Sequence, residues 1–245
     1  MIIKVKIPTS FFDCTTERVE AMFDLIFRLR LACGAVTNLK PIDEPNFHLQ
    51  VPKFEDAKFA DLVGDEAKLR TALLDVEYLP IYAVLFDITE LEAEALMKYE
   101  AYLVTVFAAY LELLQEINIT GVAGVSSIKL EVNGTEKTAK MLSDLSEYPT
   151  EIAKNIWLLL DSGIDVHAYI ASILSVLLLS DGEQSLTHNG ATWVHNEVLA
   201  ESYLIALKQK KFSEVFPLWV FFCNYESNLH RYSNCIYQIL EGMAK

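Results

Sequence analysis

Apolar positions recur at helical spacing over most of this chain and at strand spacing over very little of it. Residues 2–7, IIKVKI, alternate apolar residues with lysine and stop at Pro8, a pattern that predicts a short edge strand. Val19, Met22, Phe23, Ile26 and Cys33 then fall at helical spacing, with Thr15 or Thr16 placed to cap the start and Gly34 the end. Residues 35–66 lose the rhythm. Pro41, Pro45 and Pro52 stand there among acids and polar residues, which predicts a long loop or wrapped arm and the best place in the chain for a functional loop. DEAKLRTALL after Gly64 predicts a short helix.

The clearest periodicity runs from Asp87 to Ile117. Asp87 with Glu90, or Thr89 with Glu92, forms a capping box. Leu96, Tyr99, Leu103, Val106, Phe107, Tyr110, Leu114 and Ile117 make one apolar stripe, predicting a single helix of about eight turns. GVAGVSSIKLEVNG breaks it and predicts a strand at about 125–132, expected to pair with residues 2–7. Asn133-Gly134 suits a hairpin turn, but TEKTAKML beyond it alternates poorly and is expected to be helical.

The second half is expected to be all helix. Pro149 lies near one helix start and Gly163 near its end. Asp165 caps the next helix and Gly182 closes it. Further helices follow at about 191–211, 213–223 and 226–243, with Pro217 expected to kink or divide the second of these. The fold class is therefore mainly α: a multi-helix domain with a minor β element from residues 2–7 and about 125–132. Residues 1–245 are expected to form one domain. The alternative boundary is at 121–134, dividing a mixed α/β part (1–120) from an all-helical part (135–245).

Composition adds a large core and a strong negative charge. The chain is 52% hydrophobic and 22% charged, so it folds. Its mean hydropathy of +0.25 calls for a large interior or for apolar surface covered by a partner. Its 20 basic and 34 acidic residues give a net charge of −14. Residues 1–122 hold 11 basic and 20 acidic residues, and residues 123–245 hold 9 and 14. Between Arg70 and Lys129 the only basic residue is Lys98, against nine acids. Both halves repel phosphate backbones and anionic lipid, which argues against direct nucleic-acid binding. A basic protein partner would instead be attracted and steered.

Cys14, Cys33, Cys223 and Cys235 form no CxxC pair and have no histidine at metal-ligand spacing, as expected of buried thiols in the cytoplasm. The first residues lack the apolar core of a secretory signal. The longest apolar run, Ile164 to Leu179, contains Asp165 and His167 and falls short of the roughly 20 residues of a spanning helix, so it is expected to be a buried helix and no transmembrane segment is expected.

Candidate chemistry concentrates in HNGATWVHNEVLAE, residues 188–201. If a helix covers 192–211, Glu197 lies about 200° and Glu201 about 240° around it from His195, so both acids point away from the histidine. HExxH spacing is absent, as is the Glu-x-x-His spacing of di-metal bundles, and no metal or cofactor is expected. His167 has the apolar neighbours of a core histidine. His48 shares the proline-rich loop with Asp43 and Glu44. Glu90 with Glu94 and Glu112 with Glu116 are like-charged i,i+4 pairs, expected to face water. The single basic cluster, Lys208, Lys210 and Lys211, sits where a helix ends and offsets its dipole. Nucleophile-elbow, P-loop and dinucleotide-turn patterns are all missing, so no catalytic residue is assigned.

Two fragments, LLLDSGIDVHA (158–168) and NGATWVH (189–195), resemble the helix end and turn-to-helix opening of an ankyrin repeat. They stand twenty residues apart, Trp193 occupies the proline position, and no period of about 33 residues recurs, so no family is assigned. The resemblance implies at most stacked helix pairs with one partner-binding face.

The function these features favour is that of a non-catalytic cytoplasmic binding protein. Its acidic helical surface would engage a basic macromolecular partner, as an immunity or antitoxin-type inhibitor or a nucleic-acid mimic does. The expected partner-binding residues are Asp43, Glu44, Glu90, Glu94, Glu112, Glu116, Glu197 and Glu201. One alternative is an enzyme or small-ligand protein with an apolar pocket near Trp157, Trp193 and Trp219. Another is a helical protein that oligomerises or lies on membrane surfaces.

Overall fold

A computed structural model describes residues 3–35, 57–115, 122–142, 148, 152, 156, 166–180 and 197–223. It is mainly α-helical with one small antiparallel sheet. In chain order the helices are α1 (Thr16–Ala32), α2 (Ala57–Gly64), α3 (Glu66–Leu73), α4 (Leu79–Phe86), α5 (Glu90–Met97), α6 (Glu100–Gln115), α7 (Ile170–Leu177), α8 (Glu197–Gln209) and α9 (212–223). The strands are β1 (Ser127–Val132), β2 (Thr135–Lys140) and β3 (Leu179–Ser180), in the order β1-β2-β3.

Helix α1 lies at the centre. Val19, Met22, Phe23, Leu25, Ile26 and Leu29 are buried along it, and α2, α3, α4, α7, α8 and the 3-10 turn Val166–Tyr169 pack around it. Gly34 follows α1 at φ +67°, a left-handed conformation that favours glycine. The start of α1 is bonded to the junction of α8 and α9. The Thr16 N–H donates to the Lys210 carbonyl at 2.8 Å, and the Phe212 N–H donates to the Cys14 carbonyl at 2.8 Å. Nearly two hundred residues of chain are closed by these two backbone bonds.

The sequence signals for helix starts are used locally. Asp65 accepts from the Ala67 and Lys68 N–H groups and caps α3. Thr89 and Glu92 form the capping box of α5. Pro80 stands in the first turn of α4, where its missing N–H costs nothing.

Several sequence expectations are corrected. Residues 57–64 are helical, because Phe59 and Leu62 supply an apolar face that the prolines upstream obscure. Residues 36–56 of the expected loop lie outside the described residues. The described part of the stripe, 87–115, forms two helices, α5 and α6, and Ile117 lies outside the described residues. At their junction the Lys98 N–H bonds to the Ala95 carbonyl and the Tyr99 N–H to the Leu96 carbonyl, which tightens the last turn of α5. Leu96, Leu103, Val106, Phe107, Tyr110 and Leu114 stay buried, whereas Tyr99, at the break, is 62% exposed.

Residues 3–7 form no strand, although Ile3 and Val5 still pack against the core. The partner of β1 is the segment expected to be helical, 135–140. Asn133 and Gly134 adopt φ +53° and +72°, the two positive values a type I′ turn requires, and the hairpin pairs Val132 with Thr135 and Ser127 with Lys140. Turn chemistry overrides the poor alternation of β2, in which Ala139 is the one buried residue. The apolar run from 164 does not continue to Gly182 as helix. It forms α7, then turns extended at Leu178, and Leu179 and Ser180 pair with β2. Helix α9 runs unbroken through Pro217, and the break between α8 and α9, at residues 210–211, falls close to the expected boundary between separate helices.

The segment before β1 lies against α9. The Val125 N–H donates to the Pro217 carbonyl at 3.0 Å, and a Cβ on Gly124 would come within 2.9 Å of the Phe221 backbone nitrogen and Cα. Gly124→Ala should therefore cost about 1–3 kcal/mol by displacing this segment. Gly64→Ala meets nothing within 4 Å and should be neutral or stabilise by up to about 1 kcal/mol. Urea unfolding of the two variants measures the contrast. A second test concerns Arg18, whose Nε donates to the Leu85 carbonyl at 3.0 Å and whose Nη2 donates to the Tyr110 hydroxyl at 2.6 Å. Tyr110→Phe strips a charged donor of its partner and should lower stability by about 1–3 kcal/mol in the same assay.

Candidate functional site

The acids expected to bind a partner are placed by α5, α6 and α8. Glu90 and Glu94 are exposed one turn apart on α5, Glu112 is exposed on α6 and Glu201 on α8. Glu197 begins α8. Asp43, Glu44 and Glu116 lie outside the described residues. Of the four placed side chains, Glu94 accepts a hydrogen bond from Lys98 at 3.1 Å. Among the described residues no ion pair involves Glu90, Glu112 or Glu201.

Most of the described cations are already held by acids. Arg28 pairs with Asp24, Lys68 with Asp61, Arg70 with Glu66, Lys129 with Glu136, Lys208 with Glu17, Lys210 with Glu214 and Lys211 with Asp13. The pairing shows in the titration of the surface: the hydrogen bond from Lys129 holds Glu136 below the usual carboxylate range. These exposed pairs add little stability each. Their effect is electrostatic: the positive charge is cancelled where it stands, and the surplus acids on α5, α6 and α8 keep theirs.

Large apolar side chains stand among the surplus acids. On α5, Leu91 is 69% exposed beside Glu90 and Glu94, and Tyr99 and Tyr102 are exposed where α6 begins. On α8, Val198 and Ile205 are exposed at three residues before and four after Glu201, a spacing that puts all three on one helix face. Acid and apolar side chains so interleaved present both a long-range field and contact area.

Trp219, offered by the sequence as a pocket residue, is fully buried. Its ring stacks on Phe222 at 5.0 Å and meets His167 edge-on at 5.9 Å, and His167 in turn lies 4.9 Å from Phe23. This aromatic cluster is core, as is the buried thiol of Cys223. Trp157 and Trp193 lie outside the described residues, as do His188, His195 and most of the two ankyrin-like fragments. Among the described residues no three His, Cys, Asp or Glu side chains gather as metal ligands would. An open groove of about 730 Å³ lies between the end of α1 and helices α2 and α3, lined by Cys33, Lys58, Asp61, Lys68 and Thr71. Lys58 donates to the Gly34 carbonyl and Lys68 to Asp61, so the polar groups there serve the fold. No described helix is long and apolar enough to cross a membrane.

Among the described residues, one charged side chain not singled out by the sequence is buried. Glu20, in α1, is 6% exposed, and its Oε1 accepts from the Ala171 N–H of α7 at 2.6 Å. Burial pushes its carboxyl up to about 7, against the opposing pull of the Ala171 hydrogen bond and of Lys208. The signal was present in the spacing: Glu20 shares a helix face with Thr16 and Phe23, both buried.

Compared with known protein families, with curated proteins and with solved structures, the chain shows no significant match.

Proposed function

We propose that this protein is a non-catalytic binding protein whose acidic helical surface engages a basic macromolecular partner. The observation that carries the proposal is that, among the described residues, Glu90, Glu112 and Glu201 are exposed without ion pairs, while Lys68, Arg70, Lys98 and Lys208 are held by other acids. The net charge of −14 makes the field long-ranged and repels nucleic acid and anionic lipid. Leu91, Tyr99, Tyr102, Val198 and Ile205 supply the apolar contacts that hold a partner once it has been steered in. The partner class is a basic protein surface, and the mode of action is blockade, as by an immunity or antitoxin-type inhibitor or a nucleic-acid mimic, in the cytoplasm.

Binding by this route has a kinetic signature. The partner recovered from the source cell at low salt should associate at least about tenfold more slowly when ionic strength rises from roughly 0.05 to 0.3 M, with a much smaller change in dissociation rate. The triple variant Glu90→Gln, Glu112→Gln, Glu201→Gln should keep the helical circular-dichroism spectrum, associate more slowly at low salt and show a smaller salt dependence. Surface plasmon resonance at several salt concentrations reads both quantities. An association rate indifferent to salt, or to the triple substitution, overturns the proposal.

A further inference from the structure

Helix α7 carries no charged residue of its own, and its N-cap, Tyr169, makes no side-chain bond to the helix. The first turn is served instead by Glu20, a carboxyl 151 positions away on α1. The elements around this contact carry the following titratable and charged groups. On α1, Glu17 is held by Lys208 of α8, and Asp24 by Arg28. The 3-10 turn before α7 brings His167 and Tyr169, and α4 brings Tyr82, whose hydroxyl donates to the Leu73 carbonyl. Among the described residues no cation is ion-paired with Glu20. A buried carboxyl with one backbone N–H as its bond, and with the cation that acts on it, Lys208, bonded to Glu17, is more comfortable protonated than ionised.

We propose that Glu20 is a proton-operated latch: in its acid form it holds the 166–177 segment on α1, and on ionising it lets that segment loosen. Closed, the carboxyl keeps its proton up to about pH 7; released into water it returns to the ordinary value of 4.5. Between those values the closed state binds more protons than the open one, so rising pH favours opening and falling pH favours closure. This is opposite in sign to a salt-bridged carboxylate, whose stabilisation is lost on acidification. The latch releases the face of α1 that carries Glu20 and Phe23, together with His167, and not the helices that bear the surface acids on α5 and α6.

Hydrogen exchange of the Ala171 amide tests this directly. After correction for the intrinsic effect of pH on exchange, its opening should increase about tenfold between pH 6 and pH 8. The amide of Leu85 in α4 should show no such increase. Glu20→Gln keeps an acceptor oxygen for the Ala171 N–H and removes the ionisation, so it should abolish the increase. Should that variant not fold, the carbon-13 shift of the Glu20 carboxyl in the unaltered protein decides the matter, with an expected midpoint near 7. A midpoint near 4.5 overturns the proposal. So does an increase shared equally by Leu85, or one that persists in Glu20→Gln and so belongs to His167 or to the general surface charge.

Discussion

Everything else in this structure is arranged around the burial of a charged helix. From Thr15 to Arg30 no residue of the α1 region is exposed, yet α1 carries Glu17, Arg18, Glu20, Asp24 and Arg28. Apolar contact alone would let neighbouring helices slide and rotate over Val19, Met22 and Leu25 with small loss. Buried or half-buried charges do not allow this, because each one left without a partner costs several kcal/mol. Arg18 is satisfied by the Leu85 carbonyl of α4 and the Tyr110 hydroxyl of α6, Glu17 by Lys208 of α8, and Glu20 by the Ala171 N–H of α7. Glu17, Arg18 and Glu20 thus have partners on different helices, while Asp24 and Arg28 pair within α1, and the three outward bonds fix which element packs on which side. The hydrophobic contacts supply the driving force, and the polar ones specify the arrangement.

The outer surface follows the opposite rule. There a charge costs nothing to leave unpaired, and its influence extends about a Debye length into solution. The cations of the described surface are largely cancelled by neighbouring acids within hydrogen-bonding distance, as Lys68 is by Asp61 and Lys210 by Glu214. Because acids outnumber bases by fourteen, local cancellation leaves a remainder of one sign. Where that remainder stands next to exposed Leu91 or Ile205, the surface offers attraction at long range and burial at short range. Neither property requires an assembled reaction centre.

The helical class of the fold could be read from periodicity because burial on one face is a one-dimensional pattern. Val19, Met22, Phe23 and Ile26, or Leu103, Val106, Phe107 and Tyr110, announce their helices without any knowledge of what they pack against. The β element was only half legible. β1 alternates with burial, but β2, TEKTAK, buries Ala139 alone and owes its conformation to Asn133-Gly134 and to backbone pairing with β1. A strand whose stability lies in its neighbour leaves little trace in its own composition. Residues 3–7 show the converse: an alternating segment stays out of the sheet, and its Ile3 and Val5 pack against the core instead. The exposed acids on α5, α6 and α8 could be listed from sequence, but which of them keep their charge free depended on where Lys98 and the other cations reach, a matter of side-chain geometry across turns and between helices.

Spacing alone places Glu20 on the buried face of α1 but does not show what sets it apart. In sequence it is one of 34 acids, flanked by Val19 and Ala21 in a helix that is not strongly amphipathic. What distinguishes it is the arrival of α7, whose first turn presents an N–H and excludes water at once. Those two effects pull the proton in opposite directions, since the hydrogen bond favours the carboxylate and the dry surroundings favour the acid. Burial prevails because a single N–H replaces only part of the hydration that a carboxylate loses, and because Lys208, the cation that reaches this region, is bonded to Glu17 one turn away. A lysine paired with Glu20 itself would have fixed its charge and made the contact indifferent to pH near neutrality. The placement of one cation on the outer of two acids is therefore what leaves the inner one free to exchange its proton.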